Sequence, residues 1–311
     1  MQKISPGGGN ITGFGRTKLF TDAEDVTREN IAEVYQAAMR LHAQNRAEIQ
    51  YLYDYYLGKQ PILHREKTVR PEINNRIVVN RAAEIVDFKC GYHFGEPVQY
   101  VSRGAGEDVS GRINTLNGYM LETDKPSLDA ELAFWFTVCG VGYRMALPSR
   151  AAGGAPFELY VPDPRNTFVV YHTDLGETPA AAFTYVARQD GGVTAYAYTD
   201  SMYFVLKNGG VTFEKPHTLG MIPVIEYTAN KTRQGAFEPV LTLLDALNRV
   251  ESNRLDGVEQ FVQAIMIFEN CAIDRETLTK PPRKRQTRSA PASPARSSLC
   301  ATWATTSRKR G

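Results

Sequence analysis

YYLGKQPILHREKTVRPEINNRIVVNRAAEIVDFKCGYHFGEPVQY, residues 55–100, is the stretch that decides the fold. A helix arriving from the N-terminal side stops at Leu57-Gly58, because glycine accepts the left-handed backbone that ends a helix. A loop follows, bounded by Pro61 and Pro71 and carrying Arg65, Lys67 and Arg70. Asn74-Asn75 then leads into the short apolar run Ile77-Val78-Val79. Asn80 stands where a helix N-cap belongs, since its side chain can satisfy free backbone N–H groups. Ala82, Ile85, Val86 and Lys89 continue at helical spacing. Gly91 and Gly95 flank Tyr92 and Phe94, and Pro97 forbids further helix. One of the two glycines is expected at positive φ, and residues 98–101 are expected to form a strand.

Upstream, a long helix is expected to open at Thr27 and run to Gly58, with Asp22, Glu24 and Asp25 near its positive end. Ile31, Val34, Tyr35, Ala38, Leu41, Ile49, Leu52, Tyr53 and Tyr56 keep the helical period. The tyrosines at its end (Tyr51, Tyr53, Tyr55, Tyr56) are expected to pack on a partner helix with their hydroxyls wet. Residues 1–26, glycine-rich at the start, form a flexible arm in this reading.

Downstream, Arg103 to Ser110 reads as a turn, and Ile113, Leu116, Tyr119, Met120 and Leu121 predict a helix. Another helix begins near Pro126 and ends at Gly140 and Gly142, with Tyr143 to Leu147 continuing as a strand. From Phe157 to Tyr227 the period changes to two, and seven candidate strands alternate with turns such as Asp190-Gly191-Gly192 and Asn208-Gly209-Gly210. Their short spacing implies antiparallel hairpins. A long helix is expected from Phe237 to Phe268, with a kink or a face against something polar at Glu251-Ser252-Asn253. The fold class is α+β: long helices packed with an antiparallel β meander.

Charge is unevenly placed. Nine of the 36 basic residues and none of the 34 acidic ones lie in Thr279–Gly311, which leaves the preceding chain at a net charge of −7. That tail has no hydrophobic period and is expected to be disordered. The expected domains are therefore the arm 1–26, an α+β domain over 27–278, and the basic tail 279–311, whose abrupt change of character suggests a frame-shifted end. Elsewhere, 42% hydrophobic and 10% aromatic residues suffice for a globular core.

Nothing in the sequence asks for catalysis. Cys90, Cys139, Cys271 and Cys300 form no CxxC pair and no cluster with histidine, and His42, His64, His93, His172 and His217 are scattered. There is no phosphate loop and no Gly-x-Ser-x-Gly elbow. Asp163, Asp174 and Asp190 are expected to form turns, not a metal site. No catalytic, cofactor-binding or metal-binding residue is assigned, and no cofactor is expected. The most apolar stretch, 132–143, is far shorter than the ~20 residues of a membrane helix.

Tyr55-Tyr56-x-Gly58, Asn75, Asn80, Gly91-Tyr92-x-x-Gly95-x-Pro97 and Gly140-Val141-Gly142-Tyr143, in this order and spacing, resemble the portal protein family of siphophage type, the head–tail connector of tailed double-stranded-DNA phages. Ile222-Pro223-Val224 before a long helix, and Asn248 with Ser252 on it, add to the likeness, which covers Thr27 to Leu278. The resemblance implies the wing of a portal subunit, apparently truncated after it, since stem, clip and crown do not follow. It also implies a virion protein made in a bacterial cytoplasm. Its partners would be its own copies in a dodecameric ring, terminase large subunit, major capsid and scaffolding proteins, a head–tail adaptor, and double-stranded DNA in the channel, with no membrane. The alternative is a non-enzymatic DNA-binding protein acting through its basic tail.

Overall fold

The structure, a computed structural model, describes residues 15–102, 107–149, 153–188, 191–262, 265–268 and 301–304. These fall into two compact units: Met1–Pro61 with Val78–Leu247, and Ile62–Ile77 with Asn248–Gly311. The division differs from the single domain expected over 27–278. The loop after Pro61 folds with the end of a helix nearly two hundred residues later in the chain, a pairing that no local pattern announces.

In the first unit a short strand β1 (Leu19–Thr21) precedes helix α1 (Ile31–Tyr56). Helix α1 begins at Ile31 rather than Thr27 because Asn30 closes a separate turn ahead of it. The Asn30 side chain accepts the Thr27 N–H at 2.8 Å and donates to the Asp25 carbonyl at 2.8 Å. Gly58, at φ +85°, ends the helix. Helix α2 (Arg81–Phe94) starts at Asn80, whose Oδ1 accepts the Ala83 N–H at 3.4 Å. It passes straight through Gly91, and Gly95 sits at φ −66°. Neither glycine takes the expected positive φ. A helix tolerates an interior glycine at a cost of ~1 kcal/mol, and Pro97 is enough to stop it.

Helices α3 (Glu107–Glu122) and α4 (Lys125–Cys139) follow, α3 beginning inside the segment expected to be a turn. Residues 98–101 form no strand. Among the described residues no second strand pairs with them, and the Asn117 side chain bonds there instead, accepting the Tyr100 N–H at 3.1 Å and donating to its carbonyl at 3.0 Å. Gly140, at φ +85°, closes α4 with a 2.9 Å bond to the Phe136 carbonyl and sends the chain into β2 (Val141–Pro148).

The period-two region yields β3 (Phe157–Tyr160), β4 (Thr167–His172), β5 (Pro179–Ala187), β6 (Val193–Tyr198), β7 (Met202–Lys207), β8 (Gly210–Pro216) and β9 (Val224–Thr228). They divide between a six-stranded sheet, β1-β4-β5-β6-β7-β8, and a three-stranded one, β3-β2-β9. The hairpins are antiparallel, but β1 adds to β4 in parallel. The arm expected to be flexible to residue 26 is therefore ordered from Gly15.

Two cores result. One face of the larger sheet, including Phe168, Phe183 and Phe204, packs on Ile31, Tyr35 and Ala38 of α1. The second half of α1 joins α2, α4 and Phe237 in the other core. There Tyr55 is buried, stacked on Phe237 at 5.7 Å and bonded through its hydroxyl to Asp245 at 2.9 Å, so this tyrosine is not wet as expected.

Helix α5 (Leu241–Val262) ends six residues before the expected Phe268, and Ile265–Phe268 is a strand, β10. A run of four adjacent apolar residues has no helical face to bury and suits a strand. It pairs antiparallel with β11, Ala301–Ala304. The rest of 279–311, expected to be disordered, lies outside the described residues. The part of α5 from Asn248 onward belongs to the second unit. The helical assignment continues through 251–253, and Asn248 and Ser252 are buried.

The ordered arm is held by charge. Arg16 is buried, with Nε 3.1 Å from Glu48 and an ion pair to the buried Glu238. Asn45 clasps the Thr17 backbone at 2.9 and 2.8 Å. Arg16→Ala strands two carboxylates and should destabilise the protein by ~3–5 kcal/mol in denaturant melts. A second test uses His42, buried beside Phe168 at 4.6 Å. Burial pushes its pKa down to about 4, against the opposing effect of its bond to the Arg165 carbonyl, and the Arg46 charge adds to the lowering. Its contribution is present above pH ~6.5 and is lost as pH falls toward 4, about 2 kcal/mol by pH 5. Melts of His42→Phe between pH 7 and 5 should lack that loss.

Candidate functional site

Five of the residues singled out in sequence, Gly58, Asn80, Gly140, Gly142 and Tyr143, lie at two joints of the backbone. Gly58, Gln60 and Asn80 form the joint between α1 and α2. Asn80 Nδ2 donates to the Tyr56 carbonyl at 2.8 Å, while its Oδ1 accepts from Gln60 at 3.0 Å as well as capping α2. Gln60 also donates to the Tyr55 carbonyl at 3.2 Å. Two amide side chains thus satisfy carbonyls that a terminating helix leaves open.

Gly140, Gly142 and Tyr143 form a tighter joint. A Cβ at Gly140 would fall on the Arg233 carbonyl, and one at Gly235 on the Val138 carbonyl. The approach is sealed by Ala229 N–H to the Gly140 carbonyl at 3.0 Å and Ala236 N–H to the Thr137 carbonyl at 2.7 Å. The Arg16 N–H reaches the Arg233 carbonyl at 3.0 Å, tying in the N-terminal segment. Beside this crossing, buried Glu226 accepts the Tyr143 hydroxyl at 2.9 Å and the Tyr171 hydroxyl at 2.7 Å and pairs with Arg233. Burial raises both phenols far above their usual value, and the Glu226 charge adds to it. They remain donors across the physiological range.

Asn75 belongs to the second unit and works differently. Asp256, with a side chain 3% exposed, accepts its N–H at 2.8 Å and its Nδ2 at 2.9 Å, and pairs with Arg65 at 3.1 Å and with Lys67. Burial alone would raise this carboxyl. The hydrogen bonds from Lys67 and Asn75, with the Lys67 charge, outweigh burial and hold it at about 2. Ser252 Oγ accepts the Ile77 N–H at 3.0 Å. The polar interruption in α5 is thus the face that clamps residues 62–77.

Gly91, Tyr92, Gly95 and Pro97 are not gathered into a joint. Gly91 has open space about it, and Tyr92 is 77% exposed, stacked on Phe88 at 6.2 Å. A Cβ on Gly95 would strike the Gly91 carbonyl. Pro97 lines a cavity of about 370 Å³ with Val98, Asn117, Met120 and Leu121. The sequence reading missed Arg16, Glu226, Arg233, Gly235, Glu238 and Asp256. Each is an ordinary charged residue or glycine in its local context, and at least one of its contacts lies far away in the chain.

Burial pushes the Cys139 thiol up to about 12, despite a bond to the Val141 carbonyl. Asp163 accepts the Arg165 N–H at 2.8 Å and Asp174 the Thr178 N–H at 3.4 Å, both as turn formers; Asp190 lies outside the described residues. Among the described residues no group of three or more His, Cys, Asp or Glu could hold a metal ion, and no helix is long and apolar enough to cross a membrane.

A family model described as phage portal protein, SPP1 Gp6-like, matches residues 40–296. It takes in both joints and the clamp. It begins within α1 and extends past Leu278, where the resemblance was expected to stop. No curated protein matches the chain.

Two substitutions probe the joints. Gly140→Ala forces a backbone shift at a positive φ and should cost ~2–4 kcal/mol in thermal or denaturant melts. Asp256→Ala leaves Arg65 and Lys67 without their carboxylate. Amides of 62–77 should then exchange hydrogen faster by an order of magnitude or more, while those of the six-stranded sheet keep their wild-type rates.

Proposed function

The chain belongs to the SPP1 Gp6-like phage portal protein family, a structural family of head–tail connectors, and on that premise we propose that it is a subunit of the ring at one capsid vertex. In this reading the ring admits double-stranded DNA during packaging, releases it on ejection, and docks the terminase large subunit and later the head–tail adaptor. The single observation that carries the reading is the match over most of the chain. What the geometry adds is consistent with a mechanical part. Its buried polar groups, among the described residues, lock backbone crossings.

The charge distribution also fits a conduit. Over residues 1–278 the net charge is −7, and a surface that bound phosphates tightly would hold a moving duplex back. The rival reading, DNA binding through the tail, rests on nine cations between Thr279 and Gly311. The two differ in where the protein goes.

Co-production of the chain with the capsid and scaffolding proteins of its own phage, followed by antibody labelling and electron microscopy, tests this. One labelled vertex per particle is the expected outcome. Label spread over the shell, or unlabelled particles beside protein that stays with DNA in a salt-dependent way, would overturn it in favour of the tail reading.

A further inference from the structure

The six-stranded sheet has two outer strands of opposite character. With β1 and β8 at its ends, five strand spacings separate them, about 24 Å. Near β1 the surface is acidic around apolar groups. Leu175, at the tip of the β4–β5 turn, is wholly exposed, and Phe20 is 41% exposed. Asp22, Asp174 and Glu177 surround them and line a shallow cavity of about 340 Å³ with Phe20 and Thr173. Lys18 pairs with Glu177 at 2.6 Å. Asp22 and Asp174 have no ion-pair partner among the described residues; their side chains accept from the Thr173 and Thr178 hydroxyls and from the Thr178 N–H.

Near β8 the surface is aromatic between lysines. Register places Tyr203 opposite Lys215 and Val205 opposite Phe213. Side chains two apart on a strand share a face, so Tyr203, Val205, Lys207, Phe213 and Lys215 all lie on the side of the sheet away from α1. The Tyr203 and Phe213 rings meet edge to face at 6.3 Å, and Phe213 is 52% exposed. Lys207 and Lys215 are exposed and have no carboxylate partner among the described residues. The one acid on this strand, Glu214, pairs with Arg28.

We propose that neighbouring copies in the ring join head to tail through this sheet. Leu175 of one copy seats on the Tyr203–Phe213 shelf of the next, with Asp22 and Asp174 facing that copy's Lys207 and Lys215. The occupant is a second copy because the two patches complement each other in charge and apolar character yet lie at opposite edges of one rigid sheet. A single chain cannot bring them together. A two-fold contact through either patch would oppose like charges, whereas a head-to-tail contact pairs opposites and propagates, closing into a ring when its rotation allows. The inference rests on the ring reading above.

The test uses the full chain and sedimentation velocity over a wide concentration range, at low and high salt. Wild-type association is expected, weaker at high salt because the paired charges are screened. K207E/K215E alone and D22K/D174K alone should each weaken association at least ten-fold. An equimolar mixture of the two variants should recover it, since each then offers the other an opposite charge. Rescue in the mixture excludes misfolding as the cause of the losses. If wild type associates and the reversed variants associate equally well, or if the mixture is not rescued, the contact lies elsewhere and this inference fails while the portal reading stands. If wild type remains monomeric throughout, the ring reading fails and this contact with it.

Discussion

Three stretches of backbone meet at the turn from α4 to β2 with no space for a side chain between them. Gly140 and Gly235 are the residues that allow it, one by adopting a left-handed turn and both by lacking a Cβ where a carbonyl passes. Everything around this crossing is arranged to hold it. The loop from Ala229 to Ala236 bonds to the α4 terminus, the N-terminal segment bonds to Arg233, and Glu238 receives both the Gly235 N–H, at 2.8 Å, and Arg16. The crossing fixes where β2, β9 and the start of α5 leave it. It thereby positions the smaller sheet and the core around Tyr55 and Phe237.

Burying charge is costly, and this protein does so repeatedly: at Arg16 with Glu48 and Glu238, at Glu226 with Arg233, at Asp129 with Lys125 and Arg144, and at Asp256 with Arg65 and Lys67. Such pairs add little net stability over apolar packing, but removing one partner is severe, so they specify a single arrangement. Several of them, Arg16 with Glu48 and Glu238, Arg144 with Asp129, and Arg65 and Lys67 with Asp256, join segments that a purely apolar core would let slide. For a member of a structural family, uniqueness of geometry is the property that matters, and buried ion pairs contribute to it in both compact units.

The larger sheet shows the same economy in another form. Its α1-facing side is closed by aromatic and alanine packing, which leaves the opposite side of β6–β8 as a surface of tyrosines and lysines. Rings on adjacent strands support one another, so this face needs no covering layer to stay ordered. A family in which subunits meet side by side can use such a face without remodelling it.

How much of this the sequence determined can be followed residue by residue. Period and turn chemistry located α1, α2, α4 and the strands from Phe157 to Tyr227, because the core face of each repeats at a fixed local interval. The Asn80 cap and the Gly58 and Gly140 stops were legible for the same reason, since each acts within a few residues of itself. The helical reading of 265–268 failed because an apolar run of four carries no period. Gly91 misled because a glycine can be tolerated as well as required. What only the tertiary structure decided is long-range: the parallel addition of β1 to β4, the split into two sheets, the clamp of 62–77 on Asp256, and the burial of Arg16. In each the deciding partner lies tens to hundreds of residues away. A charged residue that will be buried reads in sequence no differently from one that will stay in water.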